Sequence, residues 1–123
     1  MNELTLSGKC VNEIEVIENE DGQKQAEIIL AIPRNYKNKV GKYDIDFISV
    51  FSDRSRTTSM ISSIEAGDDV ALLCRIENTT YKSNMEIILV DMLGWAKKKV
   101  NSKWFRWGLC LRRYENRLQC VLV

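Results

Sequence analysis

Short stretches in which apolar and polar residues alternate, separated by turn residues, fill most of the first 95 positions. A period of two is typical of a β-strand with one buried face, so the sequence predicts a chain built from strands. Asp-Gly within EDGQ (20–23) predicts a hairpin turn, and Pro33 is expected to end a strand before a polar, basic loop, RNYKNKVGK (34–42). The predicted strands are 4–9, 13–18, 26–32, 43–51, 69–77 and 85–93.

One segment has helical spacing instead. Met60, Ile61 and Ile64 form an apolar stripe, and the hydroxyl of Ser55 or Thr57 is placed to cap its start. A single helix before the last two strands is the order of a five-stranded Greek-key barrel of the OB type. We therefore predict an all-β fold, an OB barrel with one short helix. A split sandwich or another small barrel is also compatible with the periodicity.

The residue types argue against catalysis. Histidine, the commonest general base and metal ligand, is missing from the sequence, and no Ser-x-x-Lys, Gly-x-Ser-x-Gly or phosphate-binding glycine loop occurs. Asp44 and Asp46 share a strand face, but such spacing is more typical of solvent-facing alternation than of a Mg²⁺ site. We expect a binding protein that is not an enzyme, with no catalytic residue, no metal site and no cofactor.

The sequence also bears on cellular location. Residues 1–20 show no basic start followed by an apolar core, and no apolar run approaches the ~20 residues that cross a bilayer. The four cysteines are widely spaced, as expected for thiols in a reducing compartment. We therefore expect a cytoplasmic protein.

Charge divides the chain into two parts. Residues 1–95 hold ten Lys and Arg against sixteen Asp and Glu, a net of −6, whereas residues 96–123 hold eight against one, a net of +7. The overall net charge of +1 conceals this division. We assign 1–95 to the barrel domain and 96–123 to a basic, tryptophan-containing tail.

Within the tail, apolar residues recur at alternating spacings of four and three, which predicts a basic amphipathic helix flanked by lysines and arginines. Four uses remain open: docking on the barrel or on a sister subunit, DNA contact, membrane-surface binding, or no settled structure or role. The stripe consists of Val100, Trp104, Trp107, Leu111, Tyr114, Leu118 and Val121.

Four stretches, MNELTLSGK, ILAIPRNYKNKVGKYDIDFISV, AGDDVALLCRI and TTYKS, stand in the order and spacing of bacterial single-stranded DNA-binding proteins. The chain resembles a divergent member of that family over residues 1–95. The resemblance implies an OB barrel that binds single strands without sequence preference, in DNA replication, recombination or repair. It also implies a homo-oligomer, with a tetramer favoured and a dimer as the alternative.

The resemblance further implies which residues contact DNA. Tyr36, Phe47 and Tyr81 fall where the family has aromatic residues that stack on bases. Bases of any identity stack on aromatic faces while lysine and arginine follow the phosphates, so such binding is independent of sequence. The basic residues at matching positions are Lys9, Arg34, Lys37, Lys39, Arg75 and Lys82.

The chain also departs from the family. Cys74 replaces a common glycine, Thr79 a frequent arginine, and Asp53 stands near a position that is usually apolar or aromatic. The acidic stretch NEIEVIENED (12–21) is poorly suited to phosphates, and the acidic C-terminal tip that recruits replication proteins is not found in this sequence. An alternative is therefore an OB-type protein-interaction or primosome-accessory module with a degraded DNA groove, whose tail contacts a partner or a membrane surface.

Overall fold

The computed structural model describes residues 1–78, 84–98, 109–114 and 117–122. In these ranges the backbone forms eight strands and one helix. They are β1 (Leu4–Cys10), β2 (Ile17–Glu18), β3 (Lys24–Lys37), β4 (Tyr43–Ser52), α1 (Ser55–Ile61), β5 (Asp69–Asn78), β6 (Met85–Ala96), β7 (Leu109–Tyr114) and β8 (Arg117–Leu122).

Five of the strands close into a barrel. Their order is β1-β5-β6-β4-β3, and β1 pairs again with β3 to complete the ring. β4 and β6 run parallel, whereas the other neighbours in the ring are antiparallel. β2 is a two-residue extension along β3. This is the order of an OB barrel, and the predicted all-β fold with one short helix is confirmed.

The barrel interior is filled by one face of each long strand. Ile28 and Leu30 of β3 lie fully buried with Val50 of β4 and Leu72 of β5, and Ile61 of α1 covers one end. The outer face of β3 is also covered over part of its length, because Val11, Ile29 and Ala31 form a second buried cluster. Burial on both faces explains why IILA (28–31) in β3 is apolar without interruption.

Gly8 stands where β1 closes the barrel against β3. A Cβ atom at this position would lie 2.6 Å from the Ala31 carbonyl oxygen and 2.9 Å from Cγ1 of Ile32. We expect Gly8→Ala to lower the free energy of unfolding by about 1–3 kcal/mol, because the backbone must shift to relieve this overlap. Gly94→Ala is the matched control, since its Cβ would meet only Ala71 Cβ at 3.9 Å. Equal urea midpoints for the two variants would contradict the expectation.

The prediction that Pro33 ends a strand is wrong. β3 continues through Pro33 to Lys37, and its pairing with β4 is irregular between these two residues. Proline lacks an N–H donor and is tolerated in a sheet at such irregularities. As a result Arg34, Tyr36 and Lys37 belong to a strand, and only residues 38–42 form the turn.

The expected hydroxyl caps of α1 are also wrong. The N-cap residue is Arg54, and no side chain caps the helix by a hydrogen bond. The hydroxyls are used inside instead: Ser52 Oγ lies 2.6 Å from Thr57 Oγ1, and Thr58 donates to the Lys24 carbonyl at 2.8 Å. These hydrogen bonds connect the helix to β3 and β4.

Among the described residues, no helix is both long and apolar enough to cross a membrane.

A buried carboxylate anchors the end of β6. Asp68 is fully buried and accepts hydrogen bonds from Glu65 N at 2.9 Å, Trp95 Nε1 at 3.0 Å and Lys98 N at 2.8 Å. Burial is the largest influence and by itself would raise its pKa, but the three hydrogen bonds and the positive charge of Lys98 together outweigh burial, and the pKa lies below its usual range. Asp68 therefore fixes the point at which the chain leaves the barrel.

The predicted amphipathic helix of the tail is wrong where the tail is described. β7 and β8 pair antiparallel, with Leu109 opposite Leu122 and Tyr114 opposite Arg117. The sequence here has apolar residues at every second position, Leu109 and Leu111 and then 118, 120 and 122, so it fits a strand as well as a helix. Residues 99–108, with both tail tryptophans, lie outside the described residues.

Candidate nucleic-acid interface

β3 and β4 extend together as a two-stranded arm, closed by the turn 38–42. Lys37 pairs with Tyr43 at its tip. Asn38 fixes the turn. Its side-chain oxygen accepts hydrogen bonds from the backbone N–H groups of Val40 and Lys42, both at 3.0 Å. Its own backbone N–H donates to the Lys42 carbonyl at 2.7 Å. Gly41 adopts a φ of 81°. The arm is thus an ordered platform for its basic residues.

One face of the arm carries an exposed apolar row. Tyr43, Ile45 and Phe47 alternate along β4 and are 56%, 39% and 40% exposed. Lys37 stands beside the row with its Nζ 5.8 Å from the centre of the Tyr43 ring. Lys9 also borders the row, because it pairs with Ala31, which in turn pairs with Phe47. We call Tyr43, Ile45 and Phe47 the aromatic row. Tyr43 is not among the residues that the resemblance implies, although YDIDF places it on the same strand face as Phe47.

The opposite face of the arm is a charge-paired surface. Arg34 donates from Nε and Nη2 to the two carboxylate oxygens of Asp46, both at 3.0 Å, and lies 3.8 Å from Asp44. These hydrogen bonds hold the pKa of Asp46 below its usual range and raise that of Arg34. Arg34 also donates to the Tyr36 hydroxyl at 3.5 Å. Arg34, which the resemblance assigns to DNA, therefore already has Asp46 as its partner in this structure.

The two predicted stacking residues of the arm lie on different faces. Tyr36 is joined to Arg34 on the face of Asp46, and Phe47 follows Asp46 directly in β4. Successive side chains of a strand point to opposite faces. Phe47 therefore shares a surface with Tyr43, Lys37 and Lys9, whereas Tyr36 does not.

The other predicted contacts are spread over the barrel. Lys9 forms an ion pair with Asp69 at 3.0 Å, and Arg75 pairs with Glu77 at 3.3 Å at the end of β5 away from the arm. Lys39 lies exposed in the turn of the arm. Tyr81 and Lys82 lie outside the described residues. The structure thus brings Lys9, Lys37 and Phe47 onto one face, with Lys39 at the tip.

A second surface lies at the far end of the same strands. A groove of about 710 Å³ has an apolar floor that includes Ile29, Phe51 and Ile88. β3 and β4 are the second and third strands of the barrel in chain order, and this face of those two strands is where OB folds commonly bind ligands. Here six carboxylates border it, and no lysine or arginine occurs among the described residues that line it. We call it the acidic groove; its carboxylates are Glu13, Glu15, Glu27, Asp53, Glu77 and Glu86.

The acidic groove could not be predicted from single segments. Glu77 and Glu86 stand directly opposite each other on β5 and β6, an arrangement that costs stability in a sheet. Only the acidic stretch 12–21 was visible as a cluster in the sequence; the other members come from four strands or strand ends.

No group of three side chains suited to a metal ion occurs in the described part of the chain.

Comparison with known proteins places these surfaces in context. No family model matches the chain. It is 23% identical over 118 residues to single-stranded DNA-binding protein 1 of Streptococcus agalactiae, an alignment that covers 94% of this chain and 72% of the relative. It is 25% identical over 83 residues to the single-stranded DNA-binding protein of Streptococcus mutans, covering 68% and 51%. The resemblance to this family is confirmed.

Solved structures give the same fold. The Plasmodium falciparum SSB in complex with ssDNA superposes with a TM-score of 0.58 at 20% identity, over 76% of this chain and 96% of that one. The mitochondrial single-stranded DNA-binding protein of S. cerevisiae gives 0.59 at 10% identity, over 80% and 96%. The OB barrel is common to all three.

Proposed function

We propose that this protein binds single-stranded DNA without sequence preference, using the face of the arm that carries the aromatic row. The aromatic row is the observation that carries the proposal, because it exposes two rings and an aliphatic side chain in one line beside lysines. Stacking of a base on an aromatic ring contributes about 1–3 kcal/mol and tolerates every base. The protein acts as a binder in replication, recombination or repair, without catalysis or cofactor, and as a homo-oligomer, with a tetramer favoured.

The distribution of charge supports the arm as the binding element. The barrel domain has a net charge of −6, which disfavours a polyanion. The arm reverses this locally, since Lys37, Lys39 and Lys42 surround its tip and its two acids pair with Arg34 on the opposite face. About 13 Å of strand separates Phe47 from Phe51 in the acidic groove, from four residues at roughly 3.3 Å each. The DNA path we propose therefore avoids the groove.

The experiment is a salt titration with fluorescein-labelled oligo-dT, followed by anisotropy. Each phosphate contact on a single strand contributes about −0.7 to the slope of log K against log salt. Replacing Lys37, Lys39 and Lys42 by glutamine should make the slope shallower by roughly 2, because three contacts are lost. The control replaces Lys24, Arg54 and Arg56, an equal charge change at the other end of the strands. Equal slopes for the two variants would refute the arm as the phosphate-binding element.

One observation favours the alternative of a protein-interaction module. The acidic groove occupies the usual OB ligand face but is lined by carboxylates, which repel phosphate. DNA binding by the arm and protein binding in the acidic groove use different ends of β3 and β4, so one protein can have both activities. If the full chain fails to bind oligo-dT at low salt, the DNA proposal fails and the interaction module remains.

A further inference from the structure

The acidic groove has a chemistry that selects its occupant. Ile29, Phe51 and Ile88 offer an apolar floor, while carboxylates from the segment after β1, from β3, from the ends of β4 and β5 and from the start of β6 border it. Glu77 has a partner in Arg75 at 3.3 Å, which neutralises that part of the border. A segment that combines lysine or arginine with aromatic and aliphatic side chains satisfies both border and floor.

The chain itself contains such a segment. Residues 97–107, KKKVNSKWFRW, carry five positive charges and no acid, together with two tryptophans, a phenylalanine and a valine. They belong to the part of the chain with a net charge of +7, opposite in sign to the −6 of the barrel domain. Charge and apolar content therefore match the acidic groove.

The place where this segment starts also fits. Asp68 accepts the N–H of Lys98 at 2.8 Å, and the Asp68 carbonyl accepts the N–H of Cys10 at 2.9 Å. Asn12, two residues after Cys10, lines the acidic groove. The nine residues 99–107 can span up to ~30 Å when extended. The segment thus starts from a residue that is connected to the Asn12 side of the groove through Asp68 and Cys10, and it is long enough to reach the groove.

We propose that the acidic groove holds residues 99–107 of the same chain. Lys99, Lys103 and Arg106 pair with the bordering carboxylates, and the aromatic side chains cover the apolar floor. Lys97 and Lys98 stay outside the groove, because Lys97 Nζ lies over the Trp95 ring and Lys98 Nζ lies 3.5 Å from Glu65 Oε2. The proposal does not rest on DNA binding by the arm, because it uses a different surface. Its test requires no DNA, so the two proposals can fail separately.

The direct test is zero-length cross-linking of the full-length protein with a carbodiimide, which joins lysine amines to nearby carboxylates, followed by peptide mass spectrometry. We expect links from Lys99 and Lys103 to carboxylates of the acidic groove in the monomer band. Links from these lysines only to acids outside the groove overturn the proposal. Links to the groove only in a covalent dimer also overturn it and assign the site to a second copy.

A second test measures how accessible the segment is to trypsin. Replacing Glu15 and Glu86 by glutamine and Asp53 by asparagine should increase the rate of cleavage after Lys99 and Lys103 several-fold, because docking is lost. The control replaces Glu3, Glu18 and Glu20 by glutamine, which removes the same charge outside the groove lining and should leave the rate unchanged. Equal rates for wild type and groove variant contradict the proposal. The cross-linking result on the wild-type chain does not depend on how the variants fold.

Discussion

Replacing Tyr43 and Phe47 together by alanine is expected to weaken oligo-dT binding by at least roughly 30-fold. Two base stacks of about 1–3 kcal/mol each are lost, and 1.4 kcal/mol corresponds to a factor of ten. Both side chains are 40% or more exposed, so the substitutions leave the core intact. Neither substitution removes a charge, so the electrostatic contribution to DNA affinity stays the same. Anisotropy of labelled oligo-dT at constant salt gives the ratio of affinities.

The control is chosen on the opposite face of the same arm. Tyr36 is 59% exposed and is joined to Arg34, away from the aromatic row. We expect Tyr36→Ala to cost much less affinity than Phe47→Ala, although sequence resemblance ranks the two positions alike. If Tyr36→Ala has the larger effect, DNA lies on the charge-paired face. If the double variant binds within twofold of wild type, the aromatic row is not the binding surface.

Asp68→Asn should lower the free energy of unfolding by about 2–3 kcal/mol, a fall in Tm of roughly 10 °C. The carboxylate accepts three N–H donors, and an amide presents an NH₂ group to at least one of them. A buried donor left without an acceptor costs about 1–3 kcal/mol. Asp69→Asn is the neighbouring control, since that ion pair with Lys9 is solvent-exposed and contributes about 0–1 kcal/mol. Equal Tm values for the two variants would show that the anchor does not stabilise the fold.

The same pair of proteins gives a pH test. The pKa of Asp68 is depressed in the folded state, so its contribution is present above the ordinary carboxyl range and is lost as pH falls below about 4. Asparagine does not titrate. The stability gap between wild type and Asp68→Asn should therefore narrow between pH 7 and pH 3 in urea titrations. A gap that stays constant would mean that the pKa of Asp68 is the same in the folded and unfolded states.

Alternation along single strands predicted much of this molecule. It predicted the five strands of the barrel, and within YDIDF the same alternation places Tyr43, Ile45 and Phe47 on one face, because the side-chain period is fixed within a strand. It could not relate Tyr36 to Phe47, since the irregular pairing after Pro33 decides which side Arg34 and its neighbours face. A local period contains no information about such a shift between strands.

Two other features depend on contacts that are distant in sequence. The acidic groove unites Glu13 with Glu27, Asp53 and Glu86, and only the barrel topology brings them together. Two of the hydrogen bonds to Asp68 come from Trp95 and Lys98, about 30 residues further along. In the tail, apolar spacing matched both a helix and a strand, and pairing between Leu109–Tyr114 and Arg117–Leu122 decided for strands.

The hydrogen bond from Lys98 to Asp68 also sets a local concentration. Because the chain is held to the barrel at that residue, the segment that follows meets nearby surfaces at an effective concentration in the millimolar range. A contact with a dissociation constant of ~100 µM between separate molecules would then be about 90% formed within one chain. Dilution of the protein leaves such a contact intact, and a free peptide of the same sequence displaces it only at millimolar concentrations.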